Sequence, residues 1–294
     1  MKKAYVFYNP LSGGGIGEKE LLPLTETLGD EVVFCDMTKS ETYEEKLFSA
    51  EGDDYIILCG GDGTLNRFIN LTDGIKLKSE ILYYPCGTGN DFAHDLGYER
   101  FSRPFNITHC IQNLPYVEVN NRRYRFLNGV GYGIDGYCCA VGDSLKNRSD
   151  KAVNYTAIAV RGLLFHYKPT RAVVTVDGVR YEYKKVYLAP TMNGRFYGGG
   201  MMPTPNQQRL GDERKLSVLI FHGAGKLRTL SVFPTIFNGT HIKHTKIAEV
   251  LSGNDIKVEF DRPTPLQIDG ETILDVTSYR ATLPAKKTED EYGN

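Results

Sequence analysis

Four short runs rich in aliphatic, aromatic and β-branched residues (4–8, 32–36, 55–59 and 81–85) recur about every 25 residues along the first third of a 294-residue chain. Helix-compatible stretches such as 41–50 lie between them. Strands alternating with helices imply a parallel sheet covered by helices on both faces. Ligands of such sheets bind beyond the carboxyl ends of the strands. Each run here empties into small or polar residues: Asn9 to Gly15, Thr38, the stretch from Gly60, and Pro85 to Asp91. Four loops thus converge on one crevice.

The third run leads straight into Gly60-Gly61-Asp62-Gly63-Thr64-Leu65-Asn66. Glycines let successive backbone N–H groups turn inward onto a phosphate. Thr64 is placed to cap a following helix whose buried face is Leu65, Phe68 and Ile69 at i, i+3 and i+4. The positive end of that helix favours the same anion. Asp62, the only charge in the loop, suits a phosphate site if it holds Mg²⁺ or a metal-bound water. The plainer reading is a tight strand-to-helix turn. Ser12, set among glycines without a paired His or Lys, reads as a phosphate contact rather than a nucleophile.

From about residue 119 the rhythm changes. Residues 124–128, 171–177, 179–190, 215–222, 256–261 and 266–281 read as strands, and 152–166 as an amphipathic helix. Val174, Val176, Val179, Tyr181 and Tyr183 alternate across Asp177-Gly178, a hairpin signal. The expected fold is therefore α/β plus all-β: a parallel-sheet domain over 1–119, then a mostly antiparallel β-sandwich over 120–281. Residues 226–237 suit a helix broken at Pro234, and 286–294 a frayed tail that, with 282–285, can return to the first domain.

Hydrophobic residues at 41% and charged ones at 24% are those of a globular protein. A formal net charge of −1 supplies no general field for nucleic acid. The apolar run after Met1-Lys2-Lys3 stops at Asn9-Pro10, too short for a signal peptide. No run approaches the roughly 20 residues of a membrane span. Cys35, Cys59, Cys86, Cys110, Cys138 and Cys139 form no C-x-x-C pair, which fits reduced thiols and a cytoplasmic location.

No Walker-type P-loop occurs. Gly131-Tyr132-Gly133-Ile134-Asp135-Gly136 has G-x-G-x-x-G form but lies outside the alternating half, and reads as a turn out of a strand. His222, His241 and His244 lack a carboxylate at zincin spacing and read as surface or core histidines. Asp269-Gly270-Glu271 reads either as a hairpin turn or as a carboxylate aimed across a cleft, where it would serve as a general base. Spacing leaves both readings open.

The Gly60–Thr64 loop resembles the nucleotide loop shared by diacylglycerol, sphingosine and NAD kinases and phosphofructokinases. Pro85-Cys86-Gly87-Thr88-Gly89-Asn90-Asp91-Phe92-Ala93 with Leu96-Gly97 resembles the second block of the diacylglycerol kinase catalytic domain, in particular the soluble bacterial lipid kinases. Asn9-Pro10 with Ser12-Gly13 is similar to its first block. Gly198-Gly199-Gly200, Pro203 and residues 215–218 resemble a mid-chain block, and Asp269-Gly270-Glu271 the last. The resemblance spans nearly the whole chain in order, and favours catalysis at Glu271 over a turn alone.

That resemblance implies a Rossmann-like, NAD-kinase-like first domain and an ATP- and Mg²⁺-dependent lipid kinase acting on a diacylglycerol-like hydroxyl. Asn9, Ser12, Gly13, Thr38, Gly60, Gly61, Asp62, Gly63, Thr64, Asn66, Thr88, Asn90 and Asp91 would bind the nucleotide. Asp62, with Asp91 and Glu118, would order Mg²⁺ and phosphates, and Glu271 would take the acceptor proton. Leu210, Glu213 and Lys215 match a structural Mg²⁺ site of the family, with Glu213-Arg214 in place of its usual Asp-Gly. The lipid substrate implies transient contact with the inner face of a membrane, Phe196, Tyr197, Met201 and Met202 offering either a lipid-facing rim or plain core. A homodimer is compatible with the resemblance. The alternatives are a sphingoid-base or NAD kinase, and a non-catalytic nucleotide- or lipid-binding regulator.

Overall fold

A computed structural model describes residues 3–10, 21–22, 24, 31–146, 158, 161–162 and 166–284. In the N-terminal half, β1 (Lys3–Tyr8), β2 (Glu31–Asp36), β3 (Tyr55–Gly60) and β4 (Glu80–Pro85) pair in parallel in the order β2-β1-β3-β4. The two-residue β5 (Phe105–Asn106) pairs antiparallel with β4. Period-two alternation puts Phe7, Ile56 and Leu58 in one core and Val6, Ile57 and Cys59 in another on the opposite face. Strands buried on both faces must be apolar throughout, which is why these runs stand out in the sequence. The chain steps from β1 outward to β2, then crosses back to β3. The crevice at this reversal is bordered by Asn9 after β1 and Gly60 at the end of β3.

The C-terminal half is antiparallel throughout. It comprises β6 (Tyr116–Val119), β7 (Arg122–Arg125), β8 (Gly129–Tyr132), β9 (Thr170–Val176), β10 (Val179–Val186), β11 (Thr191–Met192), β12 (Leu216–Phe221), β13 (Ala248–Gly253), β14 (Asp255–Ile268) and β15 (Glu271–Thr282). The ladder runs β13-β12-β11-β8-β14-β15-β6-β7, with β9 on β14 and β10 on β9. It encloses one core to which β6, β8, β9, β12, β14 and β15 all contribute. Asp177-Gly178 and Asp269-Gly270 are two-residue turns with positive φ at both positions, the geometry that matches strand twist.

Three strand readings change. The expected strand 124–128 is displaced to Arg122–Arg125, and Phe126 to Asn128 lead from it into β8. Residues 256–261 and 266–268 belong to one strand, β14, which passes through Pro263 and Pro265. Those prolines lack a donor, and the register with β15 slips there, between Glu259 and Leu266. The strand expected over 179–190 ends at Val186, after Lys185 takes φ +56° and interrupts its pairing.

The Gly131–Gly136 stretch leads out of β8 into a helix, Ile134–Lys146, that spacing had not indicated. Its glycines serve packing: Gly133 has φ +116°, and a Cβ on Gly136 would overlap the Pro265 carbonyl. The expected helix over 152–166 and the tail lie largely outside the described residues.

Candidate active site

The two glycine-rich loops after β3 and β4 are built into each other. Asp62 N–H donates to the Gly89 carbonyl at 3.0 Å, and Cys86 and Gly87 N–H groups both reach the Gly60 carbonyl, at 3.0 and 2.9 Å. A Cβ on Gly61 would overlap the Gly89 carbonyl, and one on Gly87 would overlap the Gly61 backbone. Gly60 leaves room for the Thr64 side chain packed back against it. These glycines are therefore demanded by loop-on-loop contact. Gly63 differs: nothing stands within 4 Å of its Cβ position. Gly63 and Thr88 are exposed, giving the joined loops an open side.

Asp62 performs a task its spacing did not suggest. Its Oδ2 accepts from Asp91 N at 2.8 Å and its Oδ1 from Phe92 N at 3.0 Å. It thus caps the short helix Asp91–Asp95 across the loops and satisfies donors that the helix cannot. Burial pushes its carboxyl up, opposed by the Phe92 and Asp91 amides, the Asn128 side chain and the Arg209 charge. Thr64 is not a cap. The helix Asp62–Leu71 starts after Gly61, and Thr64 lies buried in its first turn beside the expected apolar face of Leu65, Phe68 and Ile69.

Three sets of bonds fasten these loops to the C-terminal half. Asp91, just past the second glycine loop, accepts Gly199 N on Oδ2 and Gly200 N on Oδ1, both at 2.8 Å. Both glycines hold positive φ, so the mid-chain triple glycine forms a backbone clamp on a carboxylate. Burial, then the neighbouring Asp62 charge, raises the Asp91 carboxyl to about 6.

Asn66, on the helix after the first loop, donates Nδ2 to Asp269 Oδ2 at 2.9 Å. Asp269 also accepts from Leu127, Asn128 and Gly129 N–H groups at 2.5, 2.8 and 3.1 Å.

The third set centres on Arg209, whose Nε meets Asp95 Oδ2 at 2.8 Å. Its Nη1 meets the Leu127 carbonyl at 2.6 Å and its Nη2 meets Asn128 Oδ1 at 2.7 Å. Arg195 Nε completes the pairing of Asp95 at 2.8 Å. Asn128, Arg209, Asp95 and Arg195 escaped the sequence reading, since no local spacing links bonded pairs 81 to 114 positions apart that meet only through the fold.

Among the other predicted residues, Asn90 braces the second loop: its Nδ2 donates to the Gly87 carbonyl at 2.7 Å and its Oδ1 accepts from Tyr83 Oη at 3.2 Å. Thr38 follows β2 and donates its Oγ1 to Asp36 at 2.7 Å. Asn9 lies at the end of β1. Ser12 and Gly13 fall outside the described residues. Glu271 opens β15, exposed, immediately after the Asp269-Gly270 turn that Asn66 holds. Glu118 does not join the loops. It stands exposed on β6 opposite Arg123 of β7 and Arg280 of β15.

The expected structural cation site falls on Leu210, Glu213 and Lys215. The Lys215 carbonyl already accepts Gln207 Nε2 at 2.6 Å, and the Glu213 side chain is exposed. Arg214 brings a guanidinium into the same loop, bonded to the Arg209 and Asn113 carbonyls. Among the described residues no group of three His, Cys, Asp or Glu gathers as a metal site. Of the suggested lipid rim, Phe196 at 7% and Tyr197 at 2% exposed are core, while Met201 and Met202 are half-buried.

The chain matches two family descriptions, "Diacylglycerol kinase catalytic domain" over residues 3–115 and "YegS C-terminal NAD kinase beta sandwich-like domain" over 128–286. A diacylglycerol kinase of Mycobacterium tuberculosis (strain CDC 1551 / Oshkosh) is 24% identical over 205 residues, 68% of this chain and 65% of that protein. The chain thus spans just under two thirds of that relative's length. A provisionally named lipid kinase of Staphylococcus aureus (strain Newman) is 28% identical over 300 residues, covering 92% of this chain and 90% of its own. The fold is shared with a crystal structure provisionally assigned as a diacylglycerol kinase of Bacillus anthracis str. Sterne. That match has a TM-score of 0.69 at 19% identity and covers 96% and 92% of the two chains. On both halves together, the chain belongs to the diacylglycerol kinase family, a catalytic-domain half followed by a YegS-type β-sandwich-like half.

Proposed function

We propose that the protein transfers the γ-phosphoryl group of ATP to the primary hydroxyl of a diacylglycerol-like lipid, met by transient contact with a membrane. The observation that carries this reading is the Asn66–Asp269 bond. It ties the phosphate-side helix to the turn that presents Glu271, so both halves of a phosphotransfer site are held on one frame. Phosphoryl transfer asks a protein mainly to position the groups and offset charge.

In this reading the open side of the joined loops at Gly63 and Thr88 receives the phosphates, with Asn9 and Thr38 at neighbouring strand ends. Asp62 and Asp91 shape that side through the N–H groups they hold. Mg²⁺ bound with the nucleotide would offset phosphate charge. Glu271 accepts the proton of the attacking hydroxyl, a role that its exposed position beside the braced turn supports.

Labelled ATP offered with diacylglycerol, sphingoid base and NAD in parallel tests the assignment. Label in phosphatidic acid is the expected outcome. Label confined to NAD or the sphingoid base would replace the acceptor, and label in none would leave a binding protein.

A further inference from the structure

With Phe196 and Tyr197 buried and Met201 and Met202 half-buried, a different surface is left to meet lipid. The helix Lys226–Val232 passes without a break into the 3₁₀ turn Phe233–Asn238. One side, with Thr229, Val232, Phe233 and Ile236, is buried, and Phe233 meets Phe221 of β12 edge-on at 6.2 Å.

Leu227, Pro234 and Phe237, at i, i+7 and i+10, are exposed along another side, and half-buried Leu230 beside them packs on the core. Leu227 is 79% exposed, the most exposed large apolar residue described, and Phe237 is 42% exposed. Apolar side chains exposed on a second, outward side of a helix mark a surface for a partner, and among the described residues none covers Leu227 or Phe237.

Charge points to what that partner is. In a chain where 36 of 294 residues are acidic, none from Leu216 to Ala248 is Asp or Glu. The same segment exposes Lys226, Arg228, Lys243 and Lys246. Apolar side chains on an exposed helix, flanked by cations with no acid among them, match an anionic bilayer. The apolar groups enter the acyl boundary and the cations meet the headgroups.

The surface is also joined to the candidate site. Met202 N–H donates to the Ile236 carbonyl at 3.0 Å, and His241 Nε2 contacts the Pro203 carbonyl at 2.9 Å. Met202 and Pro203 follow directly on the Gly199-Gly200 clamp that holds Asp91.

We infer that the helical segment from Lys226 to Lys246 is the face by which the protein docks on anionic phospholipid membranes, Leu227 and Phe237 entering the bilayer and the four cations holding its headgroups. The inference deepens the lipid-kinase reading by naming where the membrane lies.

The test is vesicle sedimentation of the full chain without ATP or diacylglycerol, on phosphatidylglycerol-containing and pure phosphatidylcholine vesicles. The wild type should bind the anionic vesicles, more weakly as salt rises. Leu227→Glu with Phe237→Glu should lower that affinity at least tenfold. Arg228→Glu with Lys243→Glu should lower it and flatten its salt dependence. All should phosphorylate a short-chain, water-soluble diacylglycerol at the wild-type rate.

Variants that bind anionic vesicles like the wild type, or a wild type that binds none while phosphorylating diacylglycerol in detergent, overturn the docking face. A Leu227/Phe237 variant that alters self-association by light scattering with vesicle binding unchanged overturns it too. Vesicle binding lost in the variants, with no lipid phosphorylated by any form, supports the docking face and removes the kinase reading instead.

Discussion

Asn66 and Asp269, 203 positions apart, share a 2.9 Å hydrogen bond that joins the helix behind the first glycine loop to the turn carrying Glu271. Asp269 is half-buried and takes three further backbone donors, so Asn66 supplies one of four donors that hold this carboxylate. Replacing Asn66 with Ala removes one donor from a half-buried, charged acceptor. A loss of roughly 1–3 kcal/mol in unfolding free energy is expected, read by denaturant titration. Asn66→Asp, which sets a second carboxylate against the first, should cost more.

The glycines divide into two classes with opposite expected behaviour. Gly61→Ala drives a methyl into the Gly89 carbonyl and should lower Tm and destroy the loop pairing. Gly63→Ala meets open space, so Tm should stay near that of the wild type while nucleotide affinity falls. Paired thermal melts and nucleotide titrations separate the two.

Asp91 supplies a pH signature. Its folded-state carboxyl titrates at about 6, against 3.8 for an unperturbed group. Between those values the native state holds a proton that the unfolded chain has released, so stability falls as pH rises through this window. Relative to Asp91→Asn, the wild type should lose up to about 3 kcal/mol between pH 4 and 7. Denaturant midpoints across that range should show the gap moving in the variant's favour.

Much of this was legible in the chain. Strands with both faces buried cannot hide their apolar runs, and Leu65, Phe68 and Ile69 declared a buried helix face by spacing alone. Asp269-Gly270 is a hairpin turn with Glu271 directly after it, so the turn reading leaves the proposed base reading open. What stayed hidden is long-range. Nothing near Arg209 in sequence names Asp95, Leu127 and Asn128 as its partners. Gly61, read as room for phosphate, is also room for the neighbouring loop at Gly87 and Gly89. Aromatic residues around Gly198 carried no mark of burial, whereas Leu227 and Phe237 carried none of exposure.

In the proposed mechanism one half of the chain holds the phosphates and Glu271 on the other takes the acceptor proton. Turnover of diacylglycerol by Glu271→Gln, measured beside its ATP affinity and its Tm, tests that most directly. Because Glu271 is exposed, the variant should fold and bind ATP like the wild type while its kcat falls roughly 10²–10⁴-fold. Turnover at the wild-type rate would remove Glu271 as the base.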